Sequence, residues 1–195
     1  MTVEGVVLAA GCSSRTRPDC KLTLMLGGLT ILERSIGSMR PFCSRVSVVT
    51  GAHKELVQSI IGGLDGVIPV HNADFMSSMY ESVKTGLRAT SADKVLILPG
   101  DCPFVGSQVY TALLAAEGDI VLPEWRKHTG HPVLLTRSAI SELLRDDRYE
   151  SLQQFIVAHT HKRVAVDDTG ILRDIDTSDE YRQALKELAK KDEWR

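Results

Sequence analysis

Two hydrophobic rhythms alternate along this chain: short runs of consecutive apolar residues, and longer stretches in which apolar residues return every three or four positions. The first marks strands buried on both faces, the second amphipathic helices. In order they predict a strand over 3–10, a helix over 30–39, a strand over 45–50, a helix over 53–62, a strand over 67–71, a helix over 78–90 and a strand over 94–98. The second half is less regular. It predicts a helix near 107–117, short strands near 119–122 and 131–136, helices near 138–145 and 151–159, a strand near 162–166 and a closing helix near 178–191, with Ser178-Asp179-Glu180 at its capping end.

Strands as uniformly apolar as Val6-Val7-Leu8-Ala9-Ala10 and Val95-Leu96-Ile97-Leu98, each spaced from the next by a helix, predict an α/β fold with three layers. The sheet is expected to be doubly wound and mostly parallel. Ligands of such sheets bind beyond the carboxyl ends of the strands. Gly11 and Asp101 both follow predicted strands directly, so both are expected at that edge.

The 195 residues suit one domain, 1–195, with no linker-like break in composition. No apolar run is long enough to span a bilayer, and Met1-Thr2-Val3-Glu4-Gly5 leads into the first strand without a basic and then apolar leader. The expectation is a cytoplasmic protein with no membrane partner. A formal net charge of −2 excludes a generally basic surface, and with it a dedicated nucleic-acid binder, so an anionic ligand must be met by local cations. Cys12, Cys20, Cys43 and Cys102 are widely spaced and contain no Cys-x-x-Cys pair, which predicts free thiols rather than zinc or disulfides.

Local cations do gather after the first strand. In Leu8-Ala9-Ala10-Gly11-Cys12-Ser13-Ser14-Arg15, followed by Lys21, a glycine turn with exposed N–H groups forms an anion-binding concavity, and Arg15 and Lys21 add charge-assisted contacts to phosphate. The plain alternative is a strand-to-loop junction with solvated charges. Asp101 is the best candidate ligand for Mg²⁺, which favours one or two carboxylates with phosphate oxygens and water; the alternative is a turn residue capping the helix near Ser107. In Asp174-Ile175-Asp176, alternation along an extended strand puts both carboxylates on one side. Arg126-Lys127-His128 offers cations to a second anionic substrate.

These segments, with Ser77-Ser78, Val83-Lys84-Thr85-Gly86-Leu87, Pro99-Gly100-Asp101-Cys102-Pro103, Gly130-His131-Pro132-Val133-Leu134-Leu135 and Asp174-Ile175-Asp176-Thr177-Ser178-Asp179-Glu180-Tyr181, occur in the order seen in the MobA-like nucleotidyltransferases. The chain resembles that family over nearly its whole length, and within it the molybdenum cofactor cytidylyltransferases. The resemblance implies a Rossmann-like nucleotidyltransferase fold and Mg²⁺-dependent transfer of a nucleoside monophosphate, CMP from CTP, to a phosphorylated acceptor such as molybdopterin cofactor, with release of pyrophosphate. It implies that Leu8, Ala9, Ala10, Gly11, Ser13, Arg15, Lys21, Asn72, Ser77 and Ser78 bind nucleotide, and that Arg15, Lys21 and Asp101 serve catalysis. It further implies that Asp101 and Asp176 hold the metal, that Gly130, His131 and Pro132 shape the acceptor site, and that the product passes to a molybdoenzyme or its chaperone. Ala10 beside Gly11 resembles the pyrimidine-using pattern and is expected to gate against purines. Arg17 stands where the family usually has glycine. A sugar- or polyol-phosphate nucleotidyltransferase shares much of this pattern, and a non-catalytic nucleotide or cofactor carrier would keep the fold.

Overall fold

The computed structural model describes residues 1–11 and 20–192. Its elements in chain order are strand β1 (Val3–Ala9), β2 (Met25–Leu26), β3 (Leu29–Thr30), helix α1 (Ile31–Met39), β4 (Arg45–Thr50), α2 (Lys54–Ile61), β5 (Val67–His71), α3 (Met79–Arg88) and β6 (Lys94–Pro99). There follow α4 (Ser107–Ala115), β7 (Ile120–Trp125), β8 (His128–Thr129), β9 (Val133–Thr136), α5 (Arg137–Arg145), α6 (Leu152–Ala158), β10 (Lys162–Ala165) and α7 (Ser178–Asp192).

The main sheet runs β10-β7-β9-β6-β1-β4-β5. Its β10–β7, β6–β1, β1–β4 and β4–β5 pairs are parallel, while β9 runs against both β6 and β7. From β1 the chain winds outward through β4 to β5, then crosses back to β6 on the other side of β1. The mostly parallel, doubly wound reading therefore holds, with β9 as the reversed strand. Strand alternation divides the apolar residues between two cores. Val7, Ala9, Val46, Val48, Leu96 and Leu98 face α1, α2 and α4, whereas Val6, Ala10, Val49, Val95 and Ile97 face α3, α5 and α6.

Local chemistry sets the helix starts. Thr30 and Glu33 form a reciprocal capping box at α1, with Thr30 N–H donating to Glu33 Oε2 at 2.7 Å and Glu33 N–H to Thr30 Oγ1 at 3.1 Å. Helix α3 lies so close to the sheet that a Cβ on Gly86 would stand 2.4 Å from Val6 Cγ1. Two hairpins lie outside the periodicity reading, because strands of two residues are too short to show a period. One is β2–β3, whose Gly27-Gly28 turn sits at φ 61° and 82° and suits the primed turn of a tight hairpin. The other, β7–β8, turns through Arg126 and Lys127.

Candidate active site

Register places the ends of β1 and β6 side by side, with Leu8 opposite Pro99 and Gly100 N–H donating to Leu8 O at 2.9 Å. Gly11 and Asp101 thus emerge together at the carboxyl edge, where the winding of the sheet reverses. A Cβ on Gly11 would meet nothing within 4 Å among the described residues. Lys21 opens a single 3-10 turn, Lys21–Thr23, anchored by buried Cys20 and Leu22. Its Nζ lies 2.5 Å from Asp101 Oδ2 and 2.5 Å from Asp176 Oδ1. One ammonium therefore joins the two carboxylates expected to hold metal.

Asp176 reaches this point through three local devices. Ile175 is 1% exposed and donates its N–H to Asp101 O at 3.0 Å, which draws the segment against the end of β6. Thr177 and Glu180 form a capping box, and Glu180 Oε2 also accepts from Asp176 N–H at 2.9 Å. Tyr181 OH donates to Met25 O at 2.6 Å, tying α7 to the β2–β3 hairpin. The cap is thus Thr177 rather than Ser178. No strand forms over 174–176, but the expected alternation persists in the extended chain: Ile175 is buried, Asp174 exposed and Asp176 half-buried. The Thr-x-x-Glu pattern was the sequence signal for this arrangement. Asp101 does not cap α4; Gly106 occupies that position and donates its N–H to Asp168 Oδ2 at 2.9 Å.

Burial alone would lower the Lys21 ammonium, but Asp101 and then Asp176 more than reverse this and raise it, so the cation is firmly held. Asp174 is raised, first by burial and then, against a backbone hydrogen bond, by the neighbouring charges of Asp176 and Asp101. The Cys102 thiol is pushed up by burial and by Asp101 and Asp174.

The donor set fits a hard divalent cation. Both carboxylate oxygens lie 2.5 Å from one nitrogen, so they are at most about 5 Å apart, a range that includes the spacing of about 4 Å across an octahedral Mg²⁺. Among the described residues there is no cluster of three or more His, Cys, Asp or Glu arranged for a metal. A cation here would need phosphate oxygens and water to complete its shell.

His131 lies near Asp101, just before a cis bond to Pro132, and its buried Nδ1 has no hydrogen-bond partner among the described residues. Its N–H donates to Ile171 O at 2.9 Å, and Gly130 N–H donates to Pro123 O at 3.1 Å. Beyond them Arg126 and Lys127 form the β7–β8 turn at φ 48° and 71°, with the Arg126 guanidinium 4.5 Å from the Trp125 ring centroid. Pairing of Val121 with Leu134 and of Leu134 with Leu96 brings this turn level with Asp101, two strand spacings or about 10 Å to the side. The predicted acceptor residues and the basic turn thus share the edge that carries Lys21.

Burial holds the His131 imidazole below its ordinary value, partly offset by Asp101. On unfolding the ring takes up a proton as pH falls through about 6.5, so this stabilising contribution is present above that pH and lost below it. His159 has the opposite sign: the Phe155 carbonyl and then Glu142 raise it, so its contribution is present at low pH and lost as pH rises. Between pH 7 and 5.5 the fall in Tm is expected to be shallower in His131→Gln than in wild type, and steeper in His159→Gln. Parallel melting curves for all three proteins would refute both assignments.

The other expected nucleotide residues are placed as follows. Asn72 is buried, with its Nδ2 donating to Ser82 Oγ at 3.0 Å and its Oδ1 accepting from Asp74 N–H at 3.0 Å. Ser78 caps α3 through Glu81 N–H at 3.2 Å, and Ser77 Oγ donates to Asp74 O at 2.8 Å. All three side chains hold the turn before α3. Ala9 and Ala10 are buried and Leu8 partly so; the Ala10 methyl lies beside Gly51. Cys12, Ser13, Ser14, Arg15 and Arg17 lie outside the described residues.

The family model for the MobA-like NTP transferase domain matches residues 5–164. The molybdenum cofactor cytidylyltransferase of Escherichia coli K12 is 26% identical over 180 residues, covering 92% of this chain and 93% of that protein. The molybdenum cofactor guanylyltransferase of Sinorhizobium fredii is 29% identical over 177 residues, covering 83% and 77%. A crystal structure of the Mycobacterium sp. strain JC1 homolog of Rv0371c from Mycobacterium tuberculosis superposes with a TM-score of 0.81 at 27% identity, covering 96% of this chain and 97% of that one.

Proposed function

Because this chain belongs to the family of MobA-like NTP transferase domains, we propose that it transfers CMP from CTP to the phosphate monoester of a molybdopterin-type acceptor and releases pyrophosphate. The observation that carries this reading is the Lys21, Asp101 and Asp176 group at the carboxyl edge where Gly11 also emerges. Asp101 and Asp176 would hold Mg²⁺, which when bound neutralises charge on the phosphates. Lys21 and Arg15 orient the triphosphate. The acceptor enters from the side of His131 and the β7–β8 turn, where Arg126 and Lys127 meet its charge and buried neighbours exclude water. A phosphate monoester loses its second proton near pH 6, so its oxygen attacks the α-phosphorus without a dedicated base. The bond to the bridging oxygen breaks and pyrophosphate leaves with the electron pair; positioning and charge carry the rate.

CTP preference is supported by the Leu-Ala-Ala-Gly form and by the similarity to a cytidylyltransferase over 92% of the chain. Pyrophosphate release, measured with each of four NTPs and a panel of phosphorylated acceptors, is expected to be fastest with CTP and a molybdopterin-type acceptor. Equal use of GTP would remove the cytidylyl assignment. Turnover on sugar or polyol phosphates in place of the pterin would move the enzyme to that class, and no turnover with any pair would leave a carrier. Since the Ala10 methyl is already buried against Gly51, Ala10→Gly is expected to shift relative GTP use by less than about tenfold.

A further inference from the structure

Lys21 occupies the place where a cation would bridge Asp101 and Asp176. We propose that it is a positioning residue that gates metal entry: its ammonium holds the two carboxylates until a triphosphate draws it away, so nucleotide and divalent cation enter the site together. This rests on the nucleotidyl-transfer reading above.

The geometry leaves little room for both cations. Nζ is 2.5 Å from an oxygen of each carboxylate, and an ion using those same oxygens at about 2.1 Å would overlap it. The exchange is also energetically guarded. Side-chain exposure is 14% for Lys21 and 18% for Asp101, so that pair is less screened than a surface ion pair, whereas Asp176 at 44% is screened more. A hydrated Mg²⁺ must shed water and displace the ammonium in the same event.

What can release Lys21 is set by its anchorage. The 3-10 turn at Lys21–Thr23 is pinned by Cys20 and Leu22, while the four-carbon stem retains its own rotations. The ammonium can swing without moving the backbone. A triphosphate bound beside Gly11 offers several anionic oxygens in exchange for two. Once Lys21 turns to them, Asp101 and Asp176 are left as two close, partly buried like charges, which repel until a divalent cation neutralises them.

The test is Mn²⁺ binding to the full chain without nucleotide, followed by calorimetry and by water-proton relaxation. Lys21→Met is expected to bind one Mn²⁺ at least about tenfold more tightly than wild type, and the gain should persist in about 0.5 M KCl, where longer-range charge effects are screened. It should vanish in Lys21→Met/Asp101→Asn. Melting gives a second readout. Wild type should not shift with Mn²⁺ alone but should rise with Mn²⁺ and CTP together, whereas Lys21→Met should melt low and recover with Mn²⁺ alone. Wild-type binding as tight as that of Lys21→Met, a gain that survives Asp101→Asn, or a wild-type melt that rises equally with Mn²⁺ alone would overturn the proposal. Pyrophosphate release by wild type is scored separately: turnover without the Mn²⁺ gain removes the gate and keeps the enzyme, and the gain without turnover keeps the gate and removes the enzyme.

Discussion

Asp101→Asn is expected to slow pyrophosphate release on the order of 10³-fold, or about 4 kcal/mol of transition-state stabilisation, while changing the CTP dissociation constant less than about tenfold. The asymmetry follows from where the charge develops. Negative charge builds on the α-phosphate and the leaving pyrophosphate only as the bond breaks, so a carboxylate that places a cation there acts on kcat more than on binding. The fold should survive the change. Asp101 contributes to packing mainly through its backbone carbonyl, which accepts from Ile175 N–H at 3.0 Å, and the substitution leaves that bond intact. Lys21 would still keep Asp176 at 2.5 Å. Asp176→Asn should act in the same direction and less strongly, because its side chain is 44% exposed and solvent screens its charge more. Asp174→Asn should act least. Rate losses that are small and equal for all three, with unchanged dependence on metal concentration, would return these carboxylates to a structural role.

A large effect on stability is expected at Gly130. A Cβ there would stand 2.1 Å from Ile171 O and 2.7 Å from its carbonyl carbon, and backbone, unlike a flexible side-chain tip, cannot move aside cheaply. Gly130→Ala must separate the 130–131 segment from Ile171, straining the His131 N–H bond of 2.9 Å. A cost of about 3 kcal/mol corresponds to a Tm lower by roughly 6–12 °C for a chain of this size. The control is Gly37→Ala in α1, where an added Cβ meets nothing within 4 Å and helix propensity should raise stability by about 0.5–1 kcal/mol. Scanning calorimetry on both variants decides the matter. A Gly130→Ala protein that melts within about 2 °C of wild type would show that the Ile171 contact yields easily.

The same glycine shows what could be read before the fold was known. Gly130 lies in the segment that the resemblance assigns to the acceptor site, and the structure places it beside His131 at the carboxyl edge. The need for glycine, however, comes from Ile171, which lies in the 3-10 turn before α7 and has no sequence relation to it. Asn72 makes a similar point. The resemblance implies that it contacts nucleotide, and in the structure Nδ2 donates to Ser82 while Oδ1 accepts from Asp74. A loop asparagine that closes its own turn and one that faces a ligand look alike in sequence, because both need the same donor and acceptor.

The sequence by itself determined the alternation of strands and helices, the double winding, the family and the presence of cations and carboxylates near strand ends. Each of these depends on periodicity, turn chemistry or short spacing, which are local properties of the chain. Only the tertiary structure decided which charges meet. Lys21 and Asp176 are 155 positions apart, and their contact requires the β1–β6 register, the burial of Ile175, the Thr177 and Glu180 capping box and the docking of α7 on the β2–β3 hairpin all at once. A convergence of this kind depends on strand order and on a few ångströms of packing, and no local pattern encodes either.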